Sequence, residues 1–302
     1  MSLKRAGLGR TPVFVTAALL QTVPALGQTP LFPDVSIAGS KAECVRVSLV
    51  AGFVEYRYRI TNPPSSDAGV KSLSLDISAP LGMSPPMLPT TGVFIGDVTR
   101  VPSKATAGHV PVGMDLPPKW RGIILRDGSI RWRAPGEGLK SLDPVRPGGS
   151  REDVVLRSTY LPGVRKFELL PDYPHVCCPY SVGDPRNDTI KVKTPEDFKV
   201  VGNTIGPTYA PAAVVLSLVR SLLDEACRLH WVTNPGVCNS LQVKLDHAQT
   251  SLGRGQVQSA RGELQAFLNE LTAQHGAEPG KHVTDNAYWL LKTNAEFVLS
   301  KL

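Results

Sequence analysis

Along the chain the spacing of apolar positions changes once. Over residues 214–230 and 239–302 they recur at three- and four-residue steps, the period of a half-buried helix. The first helix offers Val215, Leu218, Val219, Leu222, Leu223, Ala226 and Leu229, and the second Leu241, Leu245, Ala248 and Leu252 before Gly253-Arg254-Gly255 stops it. The third offers Val257, Ala260, Leu264, Phe267, Leu268 and Leu271 and closes at His275-Gly276. Thr284 is placed to cap a fourth, carrying Ala287, Leu290, Leu291, Asn294 and Val298. Short connections make successive helices antiparallel neighbours, so the pattern predicts a four-helix bundle.

Upstream the period is two. Alternating runs rich in β-branched and aromatic residues predict strands over 44–50, 53–60, 70–77, 154–160 and 164–170, separated by turn clusters such as Asn62-Pro63-Pro64-Ser65-Ser66-Asp67. Residues 28–200 hold 21 of the chain's 27 prolines, a density that would break any long helix. The expected fold is therefore multi-domain, an all-β sandwich followed by an all-α four-helix bundle. The boundaries fall at a β domain over 28–192, a linker over 193–211 with breakers at Thr194-Pro195 and Gly206-Pro207, into which a strand or two is expected to run, and a helical domain over 212–302.

One hairpin can be read face by face. With Asp127-Gly128 as a two-residue turn, Leu125 opposes Ile130 and Ile123 opposes Trp132 on a core side. Ile124, Arg126, Ser129, Arg131 and Arg133 fall on the other side, with Trp120 at the strand entrance. Two readings of that second face stand together. Trp120, Arg126, Arg131 and Arg133 form a patch for an anionic polymer or a saccharide, or they form the wet face of a sheet with Trp120 packed under a loop.

The N-terminus bears on location. Lys4, Arg5 and Arg10 precede an apolar run over 12–20, too short to span a bilayer, and Ala25-Leu26-Gly27 supplies small residues for cleavage before Gln28. Residues 1–27 are expected to be a signal peptide. The product would be exported to the periplasm or beyond, with no membrane span after signal removal. The charge of +7 falls to +4 without those three basic residues. The segment from Pro207 onward balances eight Lys/Arg with eight Asp/Glu, so the excess sits in the β domain. It is too dilute for a nucleic-acid footprint, and no nucleic-acid partner is expected.

Five cysteines in an exported chain point to disulfides. Cys227 ends the first helix and Cys238 begins the second across Asn234-Pro235-Gly236, which places them within bridging reach. Cys44 is a candidate partner for Cys177 or Cys178. His175 beside that pair invites a metal reading, but the spacing matches no zinc pattern, and no metal or other cofactor is expected. Asp184, Asn187 and Asp188 match a turn with Asx capping better than a calcium loop. The six histidines are scattered, and no nucleophile elbow, metalloprotease, phosphate-loop or dinucleotide motif occurs. No catalytic residue is assigned.

Two resemblances add to these readings. The strand Glu55-Tyr56-Arg57-Tyr58-Arg59-Ile60-Thr61-Asn62-Pro63, Trp120 and Trp132, the turn Val145-Arg146-Pro147-Gly148-Gly149-Ser150 and the segment Ser158-Thr159-Tyr160-Leu161-Pro162-Gly163 resemble the immunoglobulin-like sandwich of secreted bacterial proteins without assigned activity. That likeness covers most of residues 40–170 and implies fold only. Asn239-Ser240-Leu241 with Lys244-Leu245, Ala260, Leu264, Ala266-Phe267, Asn269, Ala273-Gln274, Gly276, Lys281, Ala287 and Leu290-Leu291 resemble the FIMAH domain over about 215–302. Ala277-Glu278-Pro279-Gly280 departs from the pattern as an insertion. This second likeness implies a non-catalytic accessory module on a secreted protein, mediating contacts. The expectation is thus an exported accessory or binding protein, with extracellular polysaccharide or another envelope protein as partner. Its rivals are a secreted hydrolase with its site in the sandwich loops and a structural envelope component.

Overall fold

The computed structural model describes residues 34–50, 53–77, 114–115, 120–124, 129–137, 140–173, 193–208 and 216–302. The alternating stretches form two antiparallel sheets. In the first, β1 (Lys41–Val50), β2 (Phe53–Thr61), β9 (Ser150–Ser158) and β4 (Met114–Asp115) lie in the order β1-β2-β9-β4. In the second, β11 (Val200–Pro207), β10 (Pro162–Pro171), β3 (Val70–Asp76), β6 (Ser129–Arg133) and β5 (Arg121–Ile124) follow the order β11-β10-β3-β6-β5. A small ribbon pairs β7 (Gly136–Glu137) with β8 (Lys140–Ser141).

Period-two burial is clearest in β2, where Val54, Tyr56, Tyr58 and Ile60 are buried and the residues between them are not. Leu73, Leu75, Ile130, Trp132, Phe167 and Leu169 of the second sheet join them in one apolar cluster. Tyr58 meets Trp132 at 5.9 Å between ring centroids, so the two sheets touch through their largest side chains. Trp132 is fully buried, as its place on the hairpin predicts. Asn62, equally buried, donates to the carbonyls of Ala68 and Val145 and accepts from Ser40 Oγ, which pins the turn that begins at Pro63.

The hairpin register differs from expectation. Ile124 faces Ile130, Ile123 faces Arg131 and Gly122 faces Trp132, one residue away from the pairing a two-residue turn requires. A regular two-residue turn at Asp127-Gly128 would instead place Ile124 opposite Arg131, and residues 125–128 themselves lie outside the described residues. Strand β6 keeps its predicted faces because β3 holds its other edge, with Leu73 opposite Trp132 and Ser74 opposite Arg131.

Among the described residues the helices are α1 (Leu216–Arg228), α2 (Pro235–Gly253), α3 (Val257–Gln274) and α4 (Asp285–Lys301). Asn234 caps α2 by accepting from the N–H groups of Gly236 and Val237. Thr284 is the N-cap of α4, as predicted, and its Oγ1 accepts from Ala287 N at 3.5 Å. Val257 is exposed in the first turn of α3 rather than facing the core. Cys227 and Cys238 are bridged, with Cα atoms 6.2 Å apart. The departure at 277–280 is absorbed in a loop tied down on both sides. Val283 bridges Val232 and His275, and Lys281 Nζ donates to the Ala273 carbonyl.

Helix α4 lies against β1, β10 and β11. Strand β1 is a sheet edge, and its buried positions run Ala42, Cys44, Val47, a step of two and then of three. The extra residue is Val45, which has no partner in β2 and marks a β-bulge. The groups it turns off the ladder are taken by α4. Asn286 Oδ1 accepts from Cys44 N at 2.9 Å and from Thr204 Oγ1 at 3.2 Å, and Trp289 Nε1 donates to Val45 O at 2.6 Å. One turn further on, Asn294 Nδ2 donates to Pro162 O at 2.9 Å. An edge strand with unpaired backbone is a template for aggregation, and covering it with a helix removes that hazard. Residues 200–207, within the stretch taken as linker, are strand β11 and part of this junction.

A cationic recess on the second sheet

Strand β6 alternates cleanly, with Ile130 and Trp132 buried inward and Arg131 and Arg133 on the outer face. Across the ladder Arg131 stands opposite Ser74 and Arg133 opposite Ser72. Ser74 Oγ accepts from Arg131 Nε at 2.6 Å and so fixes that guanidinium against the sheet.

A third cation arrives through a second bulge. In β3 the apolar residues Val70, Leu73 and Leu75 step by three and then by two. Leu170 pairs with Ser72 but Pro171 pairs with Val70, so Lys71 is the extra residue. Proline has no N–H to give the ladder, and a bulge opposite it is where such a residue is tolerated. The bulge brings Lys71 and Ser72 to one recess, while Val70 and Leu73 stay in the core.

The recess holds about 230 Å³ and is lined by Lys71, Ser72, Arg131 and Arg133. Leu170 of β10 and the 3₁₀ turn Pro195–Phe198 complete it through Thr194, Pro195 and Glu196. Asp197 holds that turn by accepting from both N and Oγ1 of Thr194, which lowers its carboxyl below the ordinary value. Glu196 comes within 3.9 Å of Arg131.

The charge balance is uneven, three cations to one carboxylate among the lining residues. Burial, and then the neighbouring Arg133, pushes Lys71 down to about 8, against the opposing pull of Asp172 and Glu196. Lys71 is only 8% exposed, and Ser72 Oγ is sealed from solvent with no hydrogen-bond partner. Both features oppose folding stability, since a buried hydroxyl without a partner and a desolvated ammonium each carry a penalty.

Of the residues the hairpin pattern singled out, Arg131 and Arg133 meet in this recess and Arg126 lies outside the described residues. Trp120 is not a platform. It is 3% exposed, its Nε1 donates to the Asp143 carbonyl at 3.1 Å, and Arg151 sits over its ring at 5.0 Å. The loop after β8 covers it, so it packs as a structural residue. Cys44 is a buried free thiol donating to Arg46 O, and burial pushes its pKa far upward. Cys177 and Cys178 lie outside the described residues, as do His175, Asp184, Asn187 and Asp188. Among the described residues no three His, Cys, Asp or Glu side chains gather as metal ligands. No helix among them is long and apolar enough to cross a membrane.

Lys71 and Ser72 were missed although the sequence carries their signal. The run Val70-Lys71-Ser72-Leu73 puts two polar residues between apolar ones in an otherwise alternating strand, the mark of a bulge.

The helical region has a match in known proteins. Residues 216–300 match the FIMAH domain. No curated protein matches the chain. The matched segment begins with α1 and takes in all but the last residue of α4, including the Cys227–Cys238 bridge. The helix that covers the β1 edge is thus the last helix of the FIMAH domain.

Proposed function

We propose that the protein is an exported, non-catalytic binding protein whose ligand contact is the cationic recess of the second sheet. Its architecture would be an immunoglobulin-like sandwich, closed along one open side by the last helix of a FIMAH four-helix bundle. The common apolar cluster and the Tyr58–Trp132 contact support the sandwich. The leader pattern of residues 1–27 and the Cys227–Cys238 bridge support export, because disulfides persist in oxidising compartments.

The recess carries the functional reading. Lys71 is desolvated there beside Arg131 and Arg133 at a cost to folding, the kind of local violation that functional sites carry. Hydrolysis of a glycosidic bond by the usual route asks for two carboxyl groups flanking one cleft, whereas this recess offers the lone and half-exposed Glu196. An extracellular polysaccharide bearing acidic groups suits it.

Surface-immobilised anionic and neutral polysaccharides, probed with the mature protein, test the proposal. Anionic polymers should be retained, with affinity falling as salt rises and dropping about tenfold in Arg133→Ala, the loss of one charge-assisted contact. Equal retention by the variant would dismiss the recess, and release of shortened polymer would replace the binding reading with an enzymatic one.

A further inference from the structure

The chemistry of the recess narrows the ligand further. At about 230 Å³ and open to solvent on one side, the recess has room for more than a bare inorganic anion. It is also below the roughly 300 Å³ at which pockets for larger organic ligands begin. The space suits one ring with one acidic substituent.

The walls divide accordingly. Lys71, Arg131 and Arg133 provide the polar side, and Leu170 with Pro195 provides an apolar side against which the C–H face of a ring would pack. A carboxylate already stands at the rim, Glu196 facing Arg131 at 3.9 Å, so a guanidinium there is set to meet a planar carboxylate. Ser74 fixes Arg131 through Nε, and Nη2 is the outer nitrogen that faces Glu196.

We infer that the recess is a subsite for a single uronate unit of an acidic polysaccharide, its carboxylate held by Lys71 and Arg131 and its ring against Leu170 and Pro195. This rests on the binding function proposed above. Glu196 is the resident carboxylate that the ligand's replaces.

The test uses the full mature chain with four polymers: polygalacturonate, its methyl-esterified form, dextran sulfate and dextran. Polygalacturonate should bind at least tenfold more tightly than the methyl ester, which has the same backbone without the charge, and more tightly than dextran sulfate. Lys71→Met should lose at least tenfold in affinity for polygalacturonate while unfolding at higher urea than the natural chain, so lost binding is not lost folding. Glu196→Gln should bind more tightly. Dextran sulfate matching polygalacturonate would overturn the uronate inference and leave an anion-binding recess standing. Lys71→Met binding undiminished would overturn the placement of the carboxylate. No binding of any polymer by the natural chain would remove the proposed function itself.

Discussion

Lys71 is where the sequence, the fold and the proposed site meet in one residue. Its folded pKa of about 8 lies below the 10.5 of an unburied lysine. Between those values the unfolded chain holds a proton that the folded one has released, so stability rises with pH across that window. Below about pH 8 the penalty is present in full, on the order of 3 kcal/mol from a shift of this size. Lys71→Met should therefore stabilise the protein at pH 7 by about 2 kcal/mol, and the gain should vanish as the pH approaches 10.5. Urea unfolding at both pH values checks it. A destabilised variant at pH 7 would mean that Asp172 and Glu196 already compensate the charge. The bulge that places Lys71 was legible in its strand's spacing. Its neighbours were not, because Arg131 and Arg133 lie on another strand and Glu196 on a 3₁₀ turn, and only β-pairing brings these separated segments together.

At the scale of elements, periodicity located the long strands β1, β2, β3, β9 and β10, the β5–β6 hairpin and all four helices, because burial on one face imposes a period that survives in the sequence, whereas the two-residue strands β4, β7 and β8 are too short to show one. It failed at the β5–β6 register, where a turn at Asp127-Gly128 would set Ile124 opposite Arg131 and the strands set it opposite Ile130. It also gave no sign of what α4 covers. Asn294 stood out among apolar helix positions, and its reason is tertiary: it is buried and donates to Pro162 O and Leu290 O. Asn286 does the same work at the β1 bulge. Asn286→Ala should leave Cys44 N–H and the Thr204 hydroxyl without their acceptor in a dry site, at a cost of about 1–3 kcal/mol. Chemical denaturation measures this directly, and a change below about 0.5 kcal/mol, the range of an ordinary surface substitution, would show that the junction does not depend on that contact.

For the molecule as a whole, the apolar cluster that starts at Ile37 runs without a break through both sheets and into Val298 of α4. Regions joined by a large apolar junction should not unfold separately, unlike domains that meet through small polar interfaces. Ellipticity at 222 nm follows mainly the helices, while the fluorescence of Trp120 and Trp132, read in a chain whose helical-region Trp231 and Trp289 are replaced by Phe, follows the sheets. Both should report one midpoint. The disulfide sharpens the test, since Cys227–Cys238 closes a short loop wholly within the helices. Removing it with Cys227→Ala and Cys238→Ala together should cost about 3 kcal/mol. If the junction couples the regions, that loss appears equally in the tryptophans of the sheets, and the two curves move down in urea together. If only the helical curve moves, α4 rests on the sheets without being part of their core, and the two regions are independent folding units.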